Sequence, residues 1–85
     1  MDQKQSTEKT SDNKRFTDIS LVAYLVCLGF KIKNIERSKD KSSFFFEISD
    51  SLEKETLKFF NHEAKVDPLQ FSETLRNLRS YAKQG

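Results

Sequence analysis

The sequence predicts a small α+β domain with the element order α-β-β-α-α, in which a short antiparallel hairpin packs on a buried first helix and two further helices complete the core. Three observations predict this class. The segment 19–28 is almost wholly apolar, the phenylalanine triplet at 44–46 lies in a run of β-favouring residues, and two later segments repeat apolar residues at helical spacing. A chain of 85 residues has room for one such domain.

The segment 1–15 is polar throughout, because it contains no apolar residue after Met1. A segment without apolar side chains cannot bury enough surface to offset the entropy lost when it becomes ordered. We therefore predict a disordered polar tail over residues 1–15 and a single folded domain over residues 16–85.

The first helix is predicted to begin at Thr17 or Asp18, whose side-chain oxygens can accept hydrogen bonds from free backbone amides. Gly29 ends it, because glycine adopts the left-handed conformation that follows a helix at little steric cost. Between these residues only Ser20 is plainly polar. A helix that is apolar on every side is expected to be buried on every side, under a sheet and against another helix or a second copy of the chain.

The first strand of the predicted hairpin contains a break in its alternation. Phe30 and Ile32 alternate with lysines, but Ile35 falls out of phase with them. A β-bulge near Lys33-Asn34 would restore the alternation and increase the local twist.

The second strand of the hairpin, residues 42–49, follows a polar turn over residues 38–41. Successive side chains of a strand point to opposite faces, so Phe44, Phe46 and Ile48 share the core face and Phe45 points the other way. A lone hairpin is marginal in water, and residues 64–66 are a weak candidate for a third strand.

Two further helices have recognisable starts. Asp50 and Glu53 form a capping box for the second helix, which runs to about Asn61. Asp67 is the predicted N-cap of the third helix, and Pro68 takes its first position, where the missing N–H costs nothing. The third helix then presents one apolar face: Phe71, Leu75, Leu78 and Ala82.

Reactive and metal-binding residues are sparse in this sequence. Cys27 is the single cysteine, so no internal disulfide can form, and His62 is the single histidine, with no zinc-ligand spacing around it. We find no nucleophile paired with a base and no phosphate-binding loop, so we predict no enzyme activity, no cofactor and no metal. The apolar stretch 19–30 is too short for a spanning helix, and we expect a cytoplasmic protein.

Charge is weak in total, at +2, but unevenly distributed along the chain. The hairpin carries a cluster of basic residues, and the last helix carries basic residues on one face. Lysines beside an exposed aromatic ring can hold single-stranded nucleic acid, because cations meet phosphates and rings stack on bases. The candidate nucleic-acid-binding residues are Lys31, Lys33, Arg37, Lys39, Lys41, Phe45, Arg76, Arg79 and Lys83. The same residues would otherwise be a solvated strand edge, a covered ring and cations that stabilise a helix C-terminus.

Several motifs of the chain occur together in a known pattern. They are Phe16-Thr17-Asp18, Leu21-Val22-Ala23-Tyr24-Leu25, Gly29-Phe30, Glu63-Ala64-Lys65-Val66-Asp67-Pro68, Phe71 and Leu75-Arg76-Asn77-Leu78-Arg79-Ser80. Over about residues 16–82 the chain resembles a family of small bacterial and bacteriophage domains of unknown function. The chain departs from the family pattern where Asp18 follows Thr17 directly. The resemblance supplies no catalytic residues, but it implies a phage or mobile-element setting and, by association, a nucleic-acid-related or regulatory role.

The sequence thus favours a non-enzymatic binding module, a small nucleic-acid-binding or regulatory accessory protein. The alternative is a protein–protein interaction adaptor without nucleic-acid contact. A homodimer would suit that alternative, because the apolar first helix and the eight phenylalanines exceed what a two-stranded hairpin readily covers.

Overall fold

The computed structural model describes residues 13–83 and has three strands and three helices in the order β-α-β-β-α-α. The elements are β1 (Asn13–Phe16), α1 (Ile19–Cys27), β2 (Ile32–Arg37), β3 (Ser42–Glu47), α2 (Asp50–Phe60) and α3 (Pro68–Lys83). The strands form one antiparallel sheet in the order β1-β3-β2. The α+β class is confirmed, but the predicted element order lacked the first strand.

Strand β1 corrects the prediction of a disordered tail over residues 1–15, because Asn13, Lys14 and Arg15 belong to the sheet. Phe16 is the one fully buried side chain of β1, and its ring meets the ring of Phe46 edge-on with 5.7 Å between centroids. This edge strand is held by backbone hydrogen bonds and by one buried side chain, so its sequence shows no alternation of apolar and polar residues. The rest of the predicted tail, residues 1–12, lies outside the described residues.

The hairpin of β2 and β3 contains the predicted bulge. Ile32 lies opposite Phe46 and Asn34 lies opposite Phe45, so the register shifts at Lys33. The bulge prediction is therefore confirmed. The candidate third strand at residues 64–66 is wrong: this segment belongs to the connection between α2 and α3, where Ala64 packs half-buried against the core.

Helix α1 lies at the centre of the domain, against the sheet and both other helices. Asp18 is its N-cap, and the Oδ1 atom accepts from the backbone N–H of Ser20 at 3.0 Å. Residues 21–25 are all buried, but the end of the helix reaches the surface, where Leu28 is 40% exposed. The prediction of burial on every side therefore holds for the middle of the helix and is wrong for its last turn.

The N-caps of the other two helices lie close to their predicted positions. Ser49, and not Asp50, caps α2, because its Oγ accepts from the backbone N–H of Leu52 at 3.1 Å. Asp67 caps α3 as predicted, since its Oδ2 accepts from the N–H of Gln70 at 2.9 Å. The shift by one residue at α2 leaves Asp50 in the first turn, where a carboxylate favours the positive end of the helix dipole.

The two faces of the sheet differ in burial. Phe44 and Phe46 are each 1% exposed and pack with the helices in the core, as predicted. Ile48, predicted to share that face, lies beyond the end of β3 and is 43% exposed, which corrects the prediction. Phe45 points to the other face and is not among the residues packed against the core. We call this second face the outer face.

Candidate nucleic-acid interface

The last residue of β2 and the turn that joins β2 to β3 carry three basic residues in five positions, 37–41, and we call this segment the hairpin tip. Ser38 closes the turn, because both its backbone N–H and its Oγ–H donate to the carbonyl oxygen of Lys41 at 2.9 Å. Arg37, Lys39 and Lys41 are exposed, and Asp40 is the one acid of the segment. The turn therefore holds three cations close together in water.

The hairpin tip separates two clefts. The larger, of about 650 Å³, lies on the side of the helices and is also lined by Thr17, Ile19 and Ala82. The smaller, of about 330 Å³, is also lined by Arg15 and Ser43 of the outer face. Four residues of the hairpin tip line both clefts: Arg37, Ser38, Asp40 and Lys41. A ligand in either cleft would thus meet positive charge from the same turn.

Arg37 connects the hairpin tip to the end of α3. Its guanidinium carbon lies 4.8 Å from the centroid of the Tyr81 ring, a cation–π contact. Tyr81 is 44% exposed, so the contact lies at the surface and leaves the edge of the guanidinium able to meet a ligand.

On the outer face, Phe45 is the middle residue of a row of three that crosses the sheet. Arg15 of β1 lies opposite Phe45 on one side, and Asn34 of β2 lies opposite it on the other. Phe45 is half-buried, so its ring is partly open to solvent. The predicted neighbours of this ring were Lys31 and Lys33, but Lys33 lies in the bulge and Lys31 precedes β2, both exposed.

Arg15 is a residue that sequence reasoning missed, because it lay in the predicted tail. Its Nε–H donates to the Oγ of Ser43 at 2.9 Å, and Ser43 is 6% exposed. This hydrogen bond holds the arginine along the outer face. Two acids also lie on this face, Glu36 opposite Ser43 and Glu47 opposite Asn13, so the face is mixed in charge.

The predicted cations of the last helix lie apart from the hairpin tip. Arg76 and Arg79 are exposed on α3, and Lys83 is the last residue of that helix. At roughly 100° per residue, Arg79 points about 160° away from Tyr81 and Arg76 about 140° away. Because Tyr81 contacts Arg37, the structure does not bring the two predicted cationic groups together on one surface.

Among residues 13–83, the one titratable group with a strongly perturbed pKa is buried inside the domain. The hydroxyl of Tyr24 donates to Oε1 of Glu55 at 2.7 Å, joining α1 to α2. Burial, together with this carboxylate, raises the pKa of Tyr24 to about 12. Tyr24 is 2% exposed, so its hydroxyl is closed to solvent and its hydrogen bond to Glu55 links the two helices. Among the described residues, no three His, Cys, Asp or Glu side chains are grouped so as to hold a metal ion.

Residues 11–83 match the model of a domain family of unknown function, DUF5659. The chain belongs to this family. The DUF5659 match starts just before β1 and ends with α3, so the family domain includes the strand that the tail prediction omitted. Neither the curated proteins nor the solved structures gave a significant match. None of the helices that the structure describes has the length and apolarity needed to cross a membrane.

Proposed function

We propose that this domain is a non-enzymatic nucleic-acid-binding accessory module whose hairpin tip contacts the phosphate backbone. The observation that carries the proposal is the exposure of Arg37, Lys39 and Lys41 on one short turn with a cleft on each side. A cytoplasmic phage or mobile-element setting is part of the same proposal.

The physical basis is the release of counterions from nucleic acid. Each phosphate neutralised by a lysine or arginine frees condensed cations, so affinity falls as salt rises. The hairpin tip is suited to this because the two hydrogen bonds of Ser38 fix its backbone and Lys39 and Lys41 are exposed. Arg37 contacts the Tyr81 ring but is itself exposed. Arg76 and Arg79 form a second cationic surface, which would reach a different segment of the nucleic acid.

The test is a salt titration of oligonucleotide binding, followed by fluorescence anisotropy between about 50 and 200 mM salt. Replacing Arg37, Lys39 and Lys41 with Gln should reduce the slope of log affinity against log salt by about 2–3, since each phosphate contact contributes about 0.7–0.9. A matched control replaces three exposed lysines elsewhere with Gln and changes the net charge equally: Lys54, Lys58 and Lys65.

Two results would refute the proposal. If no single-stranded or double-stranded oligonucleotide binds at 50 mM salt, where nonspecific contacts are strong, the function is wrong. If the hairpin-tip variant and the control lose the same affinity, the total charge matters and the hairpin tip does not.

The alternative, a protein-interaction adaptor, is favoured by one feature of α2. Leu57 and Phe60 lie one turn apart on this helix and are 62% and 59% exposed. Exposed apolar pairs of this kind are typical of contact surfaces for other proteins. Light scattering across a dilution series tests the homodimeric version of this alternative. The expected result is a dimer that dissociates when Leu57 and Phe60 are both replaced by Gln. A monomer at every concentration would contradict it.

A further inference from the structure

We propose that the nucleic acid is single-stranded, and that the outer face stacks one unpaired base on Phe45 while Arg15 holds an adjoining phosphate. This inference rests on the proposed nucleic-acid function and specifies the class of substrate.

The row across the sheet combines a cation, an aromatic ring and an amide. Arg15, Phe45 and Asn34 lie side by side on β1, β3 and β2. The ring of Phe45 supplies an apolar surface for the face of a base, and base–aromatic stacking of this kind is tolerant of sequence. The guanidinium on one side is a phosphate ligand, and the amide on the other side can donate to or accept from the edge of a base.

The position of Arg15 is set before any ligand binds. Its Nε is engaged by the buried hydroxyl of Ser43 at 2.9 Å, which leaves the terminal N–H groups of the guanidinium for a phosphate. A side chain that is already oriented loses less entropy on binding than a free one.

The outer face is continuous with the hairpin tip. Arg15 lines the smaller cleft together with Arg37 and Lys41, so a backbone that leaves Phe45 would pass directly to the cations of the hairpin tip. Glu36 and Asp40 line the same cleft, and the excess of positive charge there is a single unit. Electrostatic attraction is therefore modest on this face, and stacking on Phe45 should contribute a visible share of the affinity.

A duplex fits this face poorly. In a duplex the faces of the bases are covered by their neighbours, and only their edges reach the grooves. Phe45 lies on the central strand of the sheet and is half-buried, so its ring does not protrude as the wedge that separates paired bases in a kinked duplex does. Single-stranded nucleic acid, whose bases can turn outward, fits the surface.

The experiment compares a single strand with the duplex of the same sequence, for the wild-type chain, Phe45→Leu and Phe45→Tyr. Phe45→Leu should weaken single-strand binding by about 5- to 150-fold and leave duplex binding unchanged, while Phe45→Tyr, which keeps the ring, should retain the affinity. The salt slope should not change with Phe45→Leu, because stacking releases no counterions. Arg15→Gln is a second variant, outside the core, that should weaken single-strand binding and also lower the salt slope.

The outcomes separate this inference from the proposed function. Equal affinity for both forms of nucleic acid, or a Phe45→Leu variant that binds the single strand like the wild type, would overturn the stacking site while a salt-dependent effect of the hairpin tip still stood. Absence of binding to any oligonucleotide would overturn both.

Discussion

The contrast between Phe45 and Phe46 gives the sharpest test of the structure. These residues are neighbours in β3, but Phe46 is 1% exposed in the core and Phe45 is half-buried on the outer face. We expect Phe46→Leu to lower the free energy of unfolding much more than Phe45→Leu does.

The magnitude follows from what each ring contacts. Removing a buried phenylalanine side chain down to Ala costs about 3–5 kcal/mol, and leucine restores about half of the removed carbon atoms, so about 1.5–2.5 kcal/mol is lost. Phe46 also loses its edge-to-face contact with Phe16, which is worth about 0.5–1.5 kcal/mol. Phe46→Leu should therefore cost about 2–4 kcal/mol. Phe45 leaves no closed cavity when shortened, and Phe45→Leu should cost less than about 1 kcal/mol.

The assay is urea unfolding followed by far-ultraviolet circular dichroism. With a denaturant dependence near 1 kcal/mol per M for a domain this small, the midpoint should move down by about 2–4 M for Phe46→Leu and by less than about 1 M for Phe45→Leu. Equal losses would mean that the ring of Phe45 is covered as fully as the ring of Phe46, and the reasoning for an open outer face would be refuted.

Three further changes have defined consequences for stability. Tyr24→Phe should cost about 1–2 kcal/mol by leaving the Glu55 carboxylate without its donor. The wild-type chain should lose free energy of unfolding between pH 10 and 12, because tyrosine in the unfolded chain ionises near pH 10 while the folded pKa of about 12 keeps Tyr24 neutral. Tyr24→Phe should remove this part of the loss. Urea unfolding of both chains at pH 8 and pH 11 measures it, and an equal loss of free energy in both chains would contradict the pairing. Ser49→Ala should lower the free energy of unfolding, measured by urea titration, by about 1 kcal/mol through loss of the α2 cap, and Asp50→Asn should lower it less. A larger loss for Asp50→Asn would show that Asp50 is the cap. Gly29→Ala should cost about 1–2 kcal/mol in a thermal melt because φ is +103° there, although a Cβ would meet no atom within 4 Å; an unchanged melting temperature would show that the strain is absent.

The parts of the fold that sequence reasoning predicted correctly are those in which side chains repeat regularly or a cap has a specific chemistry. The bulge between Ile32 and Asn34 was predictable because the apolar alternation breaks there, and Asp67 was predictable because proline follows it. Strand β1 was not predictable in this way. Its stability comes from pairing with β3. Lys14 adds two contacts, because its amine lies 5.8 Å from the centroid of the Phe16 ring and 3.5 Å from the carboxylate of Glu53.

The candidate site was predicted less completely than the fold, because it depends on which strands lie next to each other. Phe45 could be assigned to the outer face from alternation alone, but its neighbour Arg15 comes from a strand about thirty residues away and becomes visible only when β1 is paired with β3. The separation of Arg76 and Arg79 from the hairpin tip likewise follows from the contact between Arg37 and Tyr81, which no local pattern encodes.

The Arg37–Tyr81 contact also gives the domain an intrinsic fluorescence signal for ligand binding. The chain contains no tryptophan and two tyrosines, so its near-ultraviolet emission comes from Tyr24 in the core and Tyr81 at the surface. A phosphate that draws the Arg37 guanidinium away from the Tyr81 ring would change the emission of that tyrosine alone, while Tyr24 remains a constant reference until the domain unfolds. Occupancy of the hairpin tip and unfolding of the core could thus be followed as two separate signals in one unlabelled sample.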